Sequence, residues 1–423
     1  MDDRVRSACP LVLHGAACYN TGVMNDERER LTCHFFIAAA LLLCAYIVLY
    51  GLMEQKLLSH SVYDAYTRQA ISWWAGRADL PGNVSWLEIA EFGGRYYVSF
   101  PPFPSVVQFL LVPFFGLNTP DNLVNTLFGI GAFVLVYRYL HRRGQGGLAA
   151  ALIALLMVLG SNLFYLSLTG WVWFSAQTQA FFFSVLAIYL MDSPKKAAWA
   201  FSFLCLGCAF ACRPFNVVYA PLLVYMLYQK LDDGRGAVRT LARCVPYMLP
   251  LAAAGALAGA YNYIRFGNFL EFGHNYLPEF QNAKQFSLSY LTANLLEILK
   301  LPGSEARFWP RFNGTLFFLV NPAWVLMAVS LCRARFGLKK LIFVVCLAVH
   351  VVLTLCHRTM GGWQFGARYM VDMLPFMLVV VGDDERYRGP SRAGLVAVPA
   401  VLAAVGVAVN IWGALWFYTQ TPA

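Results

Sequence analysis

Asp64 opens the run Asp-Ala-Tyr-Thr-Arg-Gln-Ala, and further on the chain reads Gly-Gly-Arg-Tyr-Tyr-Val-Ser-Phe-Pro-Pro, residues 93–102. A carboxylate at the start of a helix has two uses. It caps the first turn, or it serves as a catalytic base or metal ligand at the mouth of a lipid-facing cavity. Arg95 is the fixed cation of the second stretch, suited to clamp a phosphate or to rest among anionic headgroups. Other cations stand far apart in the chain. Arg213 lies in Ala-Cys-Arg-Pro-Phe, Arg265 and His274 in YNYIRFGNFLEFGHNY (261–276), and Arg358 and Arg368 in CHRTMGGWQFGARYMVDMLPF (356–376). Charges next to apolar spans are costly unless something neutralises them. Their simplest common partner is a phosphate or diphosphate; Glu271 and Asp372 are the rival internal partners.

Elements that would position these groups follow from composition. Of the 423 residues, 59% are hydrophobic and 13% are charged, and mean hydropathy is +0.56. Soluble domains carry roughly 25% charged residues. Several apolar runs reach the roughly 20 residues needed to cross a bilayer, and they lack the alternation of β-barrel strands. The fold class is therefore all-α, a polytopic helical membrane protein. Apolar windows give about eleven spans: 33–53, 122–140, 147–168, 172–191, 197–212, 214–229, 245–264, 312–332, 341–357, 367–382 and 393–416.

The net charge of +10 sits in short clusters between spans, which points to membrane orientation rather than nucleic acid. Alternate connections hold Arg138, Arg142 and Arg143; Lys195 and Lys196; Lys230, Arg235, Arg239 and Arg243; Arg333, Arg335, Lys339 and Lys340; and Arg386, Arg388 and Arg392. The short connections on the opposite side hold only Arg213, Arg358 and Arg368. The expected orientation has the N-terminus in the cytoplasm and the working face outside. Residues 1–32 are then a cytoplasmic segment, of which 1–23 have no role in the fold and Met24 offers an alternative start. Residues 33–416 form one transmembrane domain with long outer loops 54–121 and 265–311, and 417–423 are a short outer tail. Among the 11 cysteines no spacing suggests a metal site.

The first outer loop is too long to be a mere connector. Tyr66, Ala70, Trp73 and Trp74 fall on one helical face, so a helix should lie along the membrane surface. Gly93-Gly94 permits a turn, and Pro101-Pro102 enforces an extended break before a short second helix, SVVQFLLVPFFGL (105–117), which suits the interface better than a span.

The order D-A-Y-T-R-Q-A, G-R-A-D-L-P, G-G-R-Y-Y-V-S-F-P-P-F, L-V-P-F-F-G-L resembles the first outer loop of GT-C-type membrane glycosyltransferases, in the branch with protein O-mannosyltransferase-like and aminoarabinose-transferase-like enzymes. The two later stretches also look like segments of bacterial members. The resemblance covers roughly residues 33–416. It implies transfer, with inversion, of a sugar from a polyprenyl-phosphate or diphosphate carrier to a glycan, glycolipid or protein acceptor at the outer face of the cell's inner membrane. It gives Asp64 the part of the loop acid, either deprotonating the acceptor hydroxyl or holding a divalent cation such as Mg or Mn. Arg95, Arg213, Arg265, His274, Arg358 and Arg368 would meet the phosphate, and Tyr96, Tyr97, Phe100 and Phe103 would line a groove for the lipid tail. The chain departs from the pattern in three places. Ala65 stands where many relatives have a second acid, Ser99 and Phe100 precede the prolines where one branch has a lysine, and SLTGWVWFSAQTQ (167–179) lacks an acid.

The same arginines would serve a transporter or flippase of a lipid-linked or anionic substrate, without a bond being broken. Against this, the sequence has no inverted repeat or paired broken spans, and no Gly-rich nucleotide loop. A transferase-like scaffold without catalysis is the third reading, motivated by the missing acids.

Overall fold

The computed structural model describes residues 33–53, 56–278, 280–281, 284–300, 316–333, 336–362, 364–389 and 393–420. The expected segment 1–32, residues 301–311 of the second outer loop and Arg335 and Arg392 of the basic clusters lie outside them. In order, the helices are α1 (Cys33–Leu52), α2 (Ala65–Trp74), α3 (Phe103–Phe115), α4 (Asp121–Arg142), α5 (Gly147–Val158), α6 (Leu163–Leu166), α7 (Val172–Met191), α8 (Lys196–Phe210), α9 (Ala220–Leu231), α10 (Ala237–Phe266), α11 (Leu291–Leu299), α12 (Phe317–Val320), α13 (Ala323–Arg333), α14 (Leu338–Leu355), α15 (Leu374–Val381) and α16 (Ala393–Gln420). Between α2 and α3 lies a hairpin, β1 (Ile89–Phe92) against β2 (Arg95–Val98), antiparallel with Ile89 opposite Val98. It is the one sheet among the described residues.

The described part of each expected span falls on helical structure, with 312–315 of the eighth lying outside the described residues. α1, α4, α7, α10, α14 and α16 are long and apolar enough to cross a membrane unaided. The remaining five are shorter or broken. The span 147–168 divides into α5 and α6, and 312–332 into α12 and α13. The spans 214–229 and 367–382 begin as the 3₁₀ turns Pro214–Tyr219 and Arg368–Met373 before continuing in α9 and α15. Pro214 forces Arg213 out of the helical region, to φ −141°, because a residue before proline is excluded from it.

Broken backbone at membrane depth must find its partners inside the protein. Side chains of α4 supply them for the segment around 166–170. Asn125 Nδ2 donates to the carbonyls of Leu166 and Thr169, both at 2.7 Å. Thr126 Oγ1 donates to Ser167 O at 2.9 Å, and Asn122 Oδ1 accepts from Gly170 N at 2.7 Å. From α16, the Tyr418 hydroxyl donates to Tyr165 O at 2.8 Å. Asn162 and Asn321 bond reciprocally, each contact 2.9 Å, where α12 meets α13. Interhelical polar bonds of this kind and close packing hold a bundle together where lipid offers no hydrophobic contrast. α7 is the central helix, with 72% of its apolar window buried, against 11% for α10 at the periphery.

The two surface helices expected in the first outer loop are α2 and α3, and they pack on each other. Trp74 stacks on Phe109 with ring centres 4.6 Å apart and donates to its carbonyl at 2.8 Å. The buried stripe of α2 differs from the expected one. It runs through Ala65, Tyr66, Gln69, Ala70 and Ser72, while Trp74 is 55% exposed. The reason is Gln69, whose amide accepts from Ser105 Oγ at 2.6 Å and donates to the Tyr261 hydroxyl at 2.9 Å. A satisfied amide can be buried, so the helix turns its last tryptophan outward. Gly93 and Gly94, at φ +59° and +71°, make the expected turn, in the two-residue hairpin form that twisted strands favour.

The basic connections meet at one end of the bundle. Arg143 pairs with Asp192 at 3.1 Å and with Asp383, and Lys339 reaches Asp383 at 2.6 Å. Gln145 adds a bond to Gly382 O at 2.9 Å. The hairpin, α2, α3 and the broken starts of the tenth and sixth spans gather at the opposite end.

Candidate functional site

At that opposite end the bundle encloses a cavity of about 270 Å³. Its wall comes from the start of α7 (Trp173, Ala176), the corner between α8 and α9 (Cys212 to Phe215), the loop after α10 (Glu271, His274) and the end of α14 (Thr354, His357). Gln285 and Phe286 close another side, and the 3₁₀ turn contributes Arg368, Tyr369 and Asp372.

Two guanidinium groups dominate its charge. Arg213 Nε lies 2.9 Å from Asp372 Oδ2. Its burial works against the charge, but the Asp372 carboxylate and Tyr369 more than offset this, and the group is held more firmly protonated than a free arginine. Arg368 is 4% exposed and donates from Nη1 to Gln177 Oε1 at 3.2 Å. Tyr369 lies between the two, 4.7 Å from the Arg213 guanidinium and 5.1 Å from that of Arg368. Gln177, wholly buried on α7, also donates to Arg368 O at 3.0 Å and to Asp372 Oδ1 at 3.2 Å.

The histidines of the cavity are neutral at neutral pH. His274 stands edge-on to Phe100, ring centres 5.3 Å apart, and its pKa is pushed down to about 3 by burial, with His357 and Arg213 adding repulsion. Burial also lowers His357, against the Nδ1 bond to Thr359 O at 2.7 Å. Glu271 is nearly buried and accepts from Gly273 N and Asn275 Nδ2, each at 2.6 Å.

The expected site residues thus separate into groups. Arg213, Arg368, His274 and Phe100 share the cavity. Arg265 stands outside its lining, 2% exposed, with Nη1 on Val98 O at 2.6 Å and Nη2 on Asn262 Oδ1 at 2.7 Å, tying α10 to the end of β2. Arg358, beside His357, lies over the Phe280 ring at 5.6 Å. Arg95 is exposed at the hairpin tip, opposite Phe92. Tyr97 packs on Phe266 at 5.3 Å, Tyr96 is half-buried and accepts from Leu80 N at 2.7 Å, and Phe103 meets Phe183 at 5.1 Å.

Asp64 occupies the N-cap position of α2, but its carboxylate makes no capping bond. It turns instead to Arg68 Nε at 2.7 Å and is 3% exposed. Burial raises its pKa and Arg68 opposes the rise. Asp64 does not line the cavity. The nearest link is its neighbour Tyr63, whose ring lies 5.1 Å from that of Trp173 in the cavity wall. Among the described residues no three His, Cys, Asp or Glu side chains gather as a metal set. Asp64 has the Arg68 guanidinium beside it where further ligands would be needed, so the described residues around it do not fit a divalent ion.

Sequence reasoning overlooked Gln177 and His357. The available signals were two amides, Gln177 and Gln179, inside an apolar span, and a histidine next to an arginine already singled out.

No protein-family model and no curated protein matches the chain. Among solved structures, ArnT from Cupriavidus metallidurans bound to undecaprenyl phosphate is similar, with a TM-score of 0.50 and 13% identity over 82% of this chain and 59% of that one. An apo oligosaccharyltransferase from Archaeoglobus fulgidus gives a TM-score of 0.48, 12% identity and coverage of 93% and 56%. AglB from the same organism, in complex with an inhibitory peptide and a dolichol-phosphate, gives 0.48, 11%, 92% and 56%. The chain spans between half and two thirds of the length of each. The fold of this membrane protein is similar to that of ArnT.

Proposed function

We propose that the protein transfers a sugar from a polyprenyl-phosphate-linked donor to a hydroxyl of a glycan, glycolipid or protein acceptor. The observation that carries this reading is the cavity in which Arg213 and Arg368, from two distant parts of the chain, face one space within a fold shared with ArnT. In the reaction the acceptor oxygen attacks the anomeric carbon from the side opposite the phosphate. The carbon–oxygen bond to phosphate breaks and its electron pair passes to the phosphate oxygen. The charge that develops there needs fixed positive groups, a part the two guanidiniums would fill. The hydroxyl proton passes to a carboxylate. Asp64 keeps the role that the family resemblance gives it, since burial raises its basicity, while Glu271 and Asp372 are the carboxylates of the cavity wall, Asp372 being paired with Arg213. The basic end of the bundle would face the cytoplasm and the cavity the outer side of the inner membrane.

The test is a purified assay with polyprenyl-phosphate sugars in which Asp64→Asn and Glu271→Gln are compared with the parent. Transfer should be lost in Asp64→Asn at unchanged thermal stability and kept in Glu271→Gln. The converse pattern moves the base to Glu271. Full turnover in both variants rejects Asp64 and Glu271 alike as the base.

A further inference from the structure

Asp372 and Arg368 stand four residues apart on the same 3₁₀ turn, within the same cavity wall. No ion pair joins them among the described residues; the carboxylate pairs with Arg213 instead, at 2.9 Å. What lies between them is the amide of Gln177. Its Oε1 takes Arg368 Nη1 at 3.2 Å, and its Nε2 gives to Asp372 Oδ1 at 3.2 Å and to Arg368 O at 3.0 Å. Gln177 has no exposed surface and stands on α7, the most buried of the long helices, so its amide is fixed. Arg368 Nε is buried with no partner among the described residues. A buried donor without a partner costs free energy, so a ligand that accepts from it is favoured.

We infer that Gln177 is a positioning residue that insulates Arg368 from Asp372, so that one of the two cavity arginines keeps its charge for an anionic ligand. An amide is suited to this work because it accepts from the guanidinium and donates to the carboxylate without a charge of its own. A glutamate at 177 would itself neutralise Arg368, and an apolar side chain would leave Arg368 and Asp372 to pair. The cavity would then hold two arginines sharing a carboxylate, a weak anion site. The inference rests on the reading of this cavity as a phosphate site and names the residue that keeps it charged.

The test is a binding titration of undecaprenyl phosphate to the full chain in detergent, read by intrinsic tryptophan fluorescence, since Trp173 lines the cavity. Gln177→Met is expected to weaken binding about tenfold, the worth of one redirected charged hydrogen bond. The decisive comparison is made in an Asp372→Asn background. With no carboxylate for Arg368 to turn to, Gln177→Met should there cost little or nothing. A residue that only supports the fold would cost the same in both backgrounds, and that result overturns the insulating role, as does wild-type affinity in Gln177→Met. If Gln177→Met does not fold, Gln177→Glu serves, with loss of binding expected and retained binding fatal to the idea. Arg368→Ala is the separate control for the cavity. If it binds undecaprenyl phosphate as tightly as the parent, the phosphate reading itself fails.

Discussion

A histidine ring held between Phe100 and Phe280 cannot easily carry a charge, because burial removes the water that would solvate it. For His274 this lowers the pKa from 6.5 to about 3, so among the described residues the positive wall of the cavity consists of Arg213 and Arg368 at neutral pH. The shift also fixes a pH dependence of stability. Below pH 6.5 the unfolded chain binds a proton that the folded chain refuses until about pH 3. The contribution of His274 is therefore fully present above 6.5 and is lost progressively as pH falls through that window. The melting temperature in detergent should fall between pH 7 and pH 4.5, and His274→Phe should make that fall shallower. An identical slope in parent and variant would show that His274 is not the titrating group.

The helices set these side chains by approaching one another closely. α16 passes the segment before the Arg368 turn at Gly413, where a Cβ would stand 2.1 Å from Phe365 Cζ. Phe365 is fully buried and sits three residues ahead of Arg368. Gly413→Val must push the ring, at a cost of about 1–3 kcal/mol for overpacking, and the displaced turn carries Arg368 with it. The expected outcome is a lower melting temperature together with weaker binding of undecaprenyl phosphate. Phe365→Ala, combined with Gly413→Val, should restore part of both by making room. If the second substitution deepens the loss, the contact does not transmit to the site. The hairpin illustrates the same dependence on neighbours, since Arg265 holds its last carbonyl, that of Val98, from α10.

Taken whole, the molecule keeps its two ends chemically distinct. One end carries the ion-pair knot of Arg143, Asp192, Asp383 and Lys339, and the other carries the cavity. In the proposed orientation the knot faces the cytoplasm. In intact cells a membrane-impermeant maleimide should label Ser85→Cys, in the exposed loop after α2, and reach Lys195→Cys, exposed between α7 and α8, only after permeabilisation. The reverse pattern would place the cavity on the cytoplasmic side and remove the proposal of transfer at the outer face.

The amino-acid sequence by itself determined the helical class, the placing of the spans and the two surface helices of the first loop. These depend on local composition, and a run of apolar residues crosses lipid wherever its neighbours lie. It also nominated Arg213 and Arg368, with four further cationic residues, because a charge next to an apolar span is costly unless something neutralises it. Tertiary structure alone decided which cations share a space. Arg265 and Arg213 look alike in the chain, yet α10 buries the first against a strand carbonyl while a broken span opens the second to the cavity. Asp64 and Arg68 were four residues apart on a helix, a spacing that favours pairing, and only the rotation of α2 set that pair outside the cavity lining. Gln177 was one amide in an apolar span. Its place between a guanidinium and a carboxylate, 191 and 195 residues away, follows from helix packing, which no local pattern encodes.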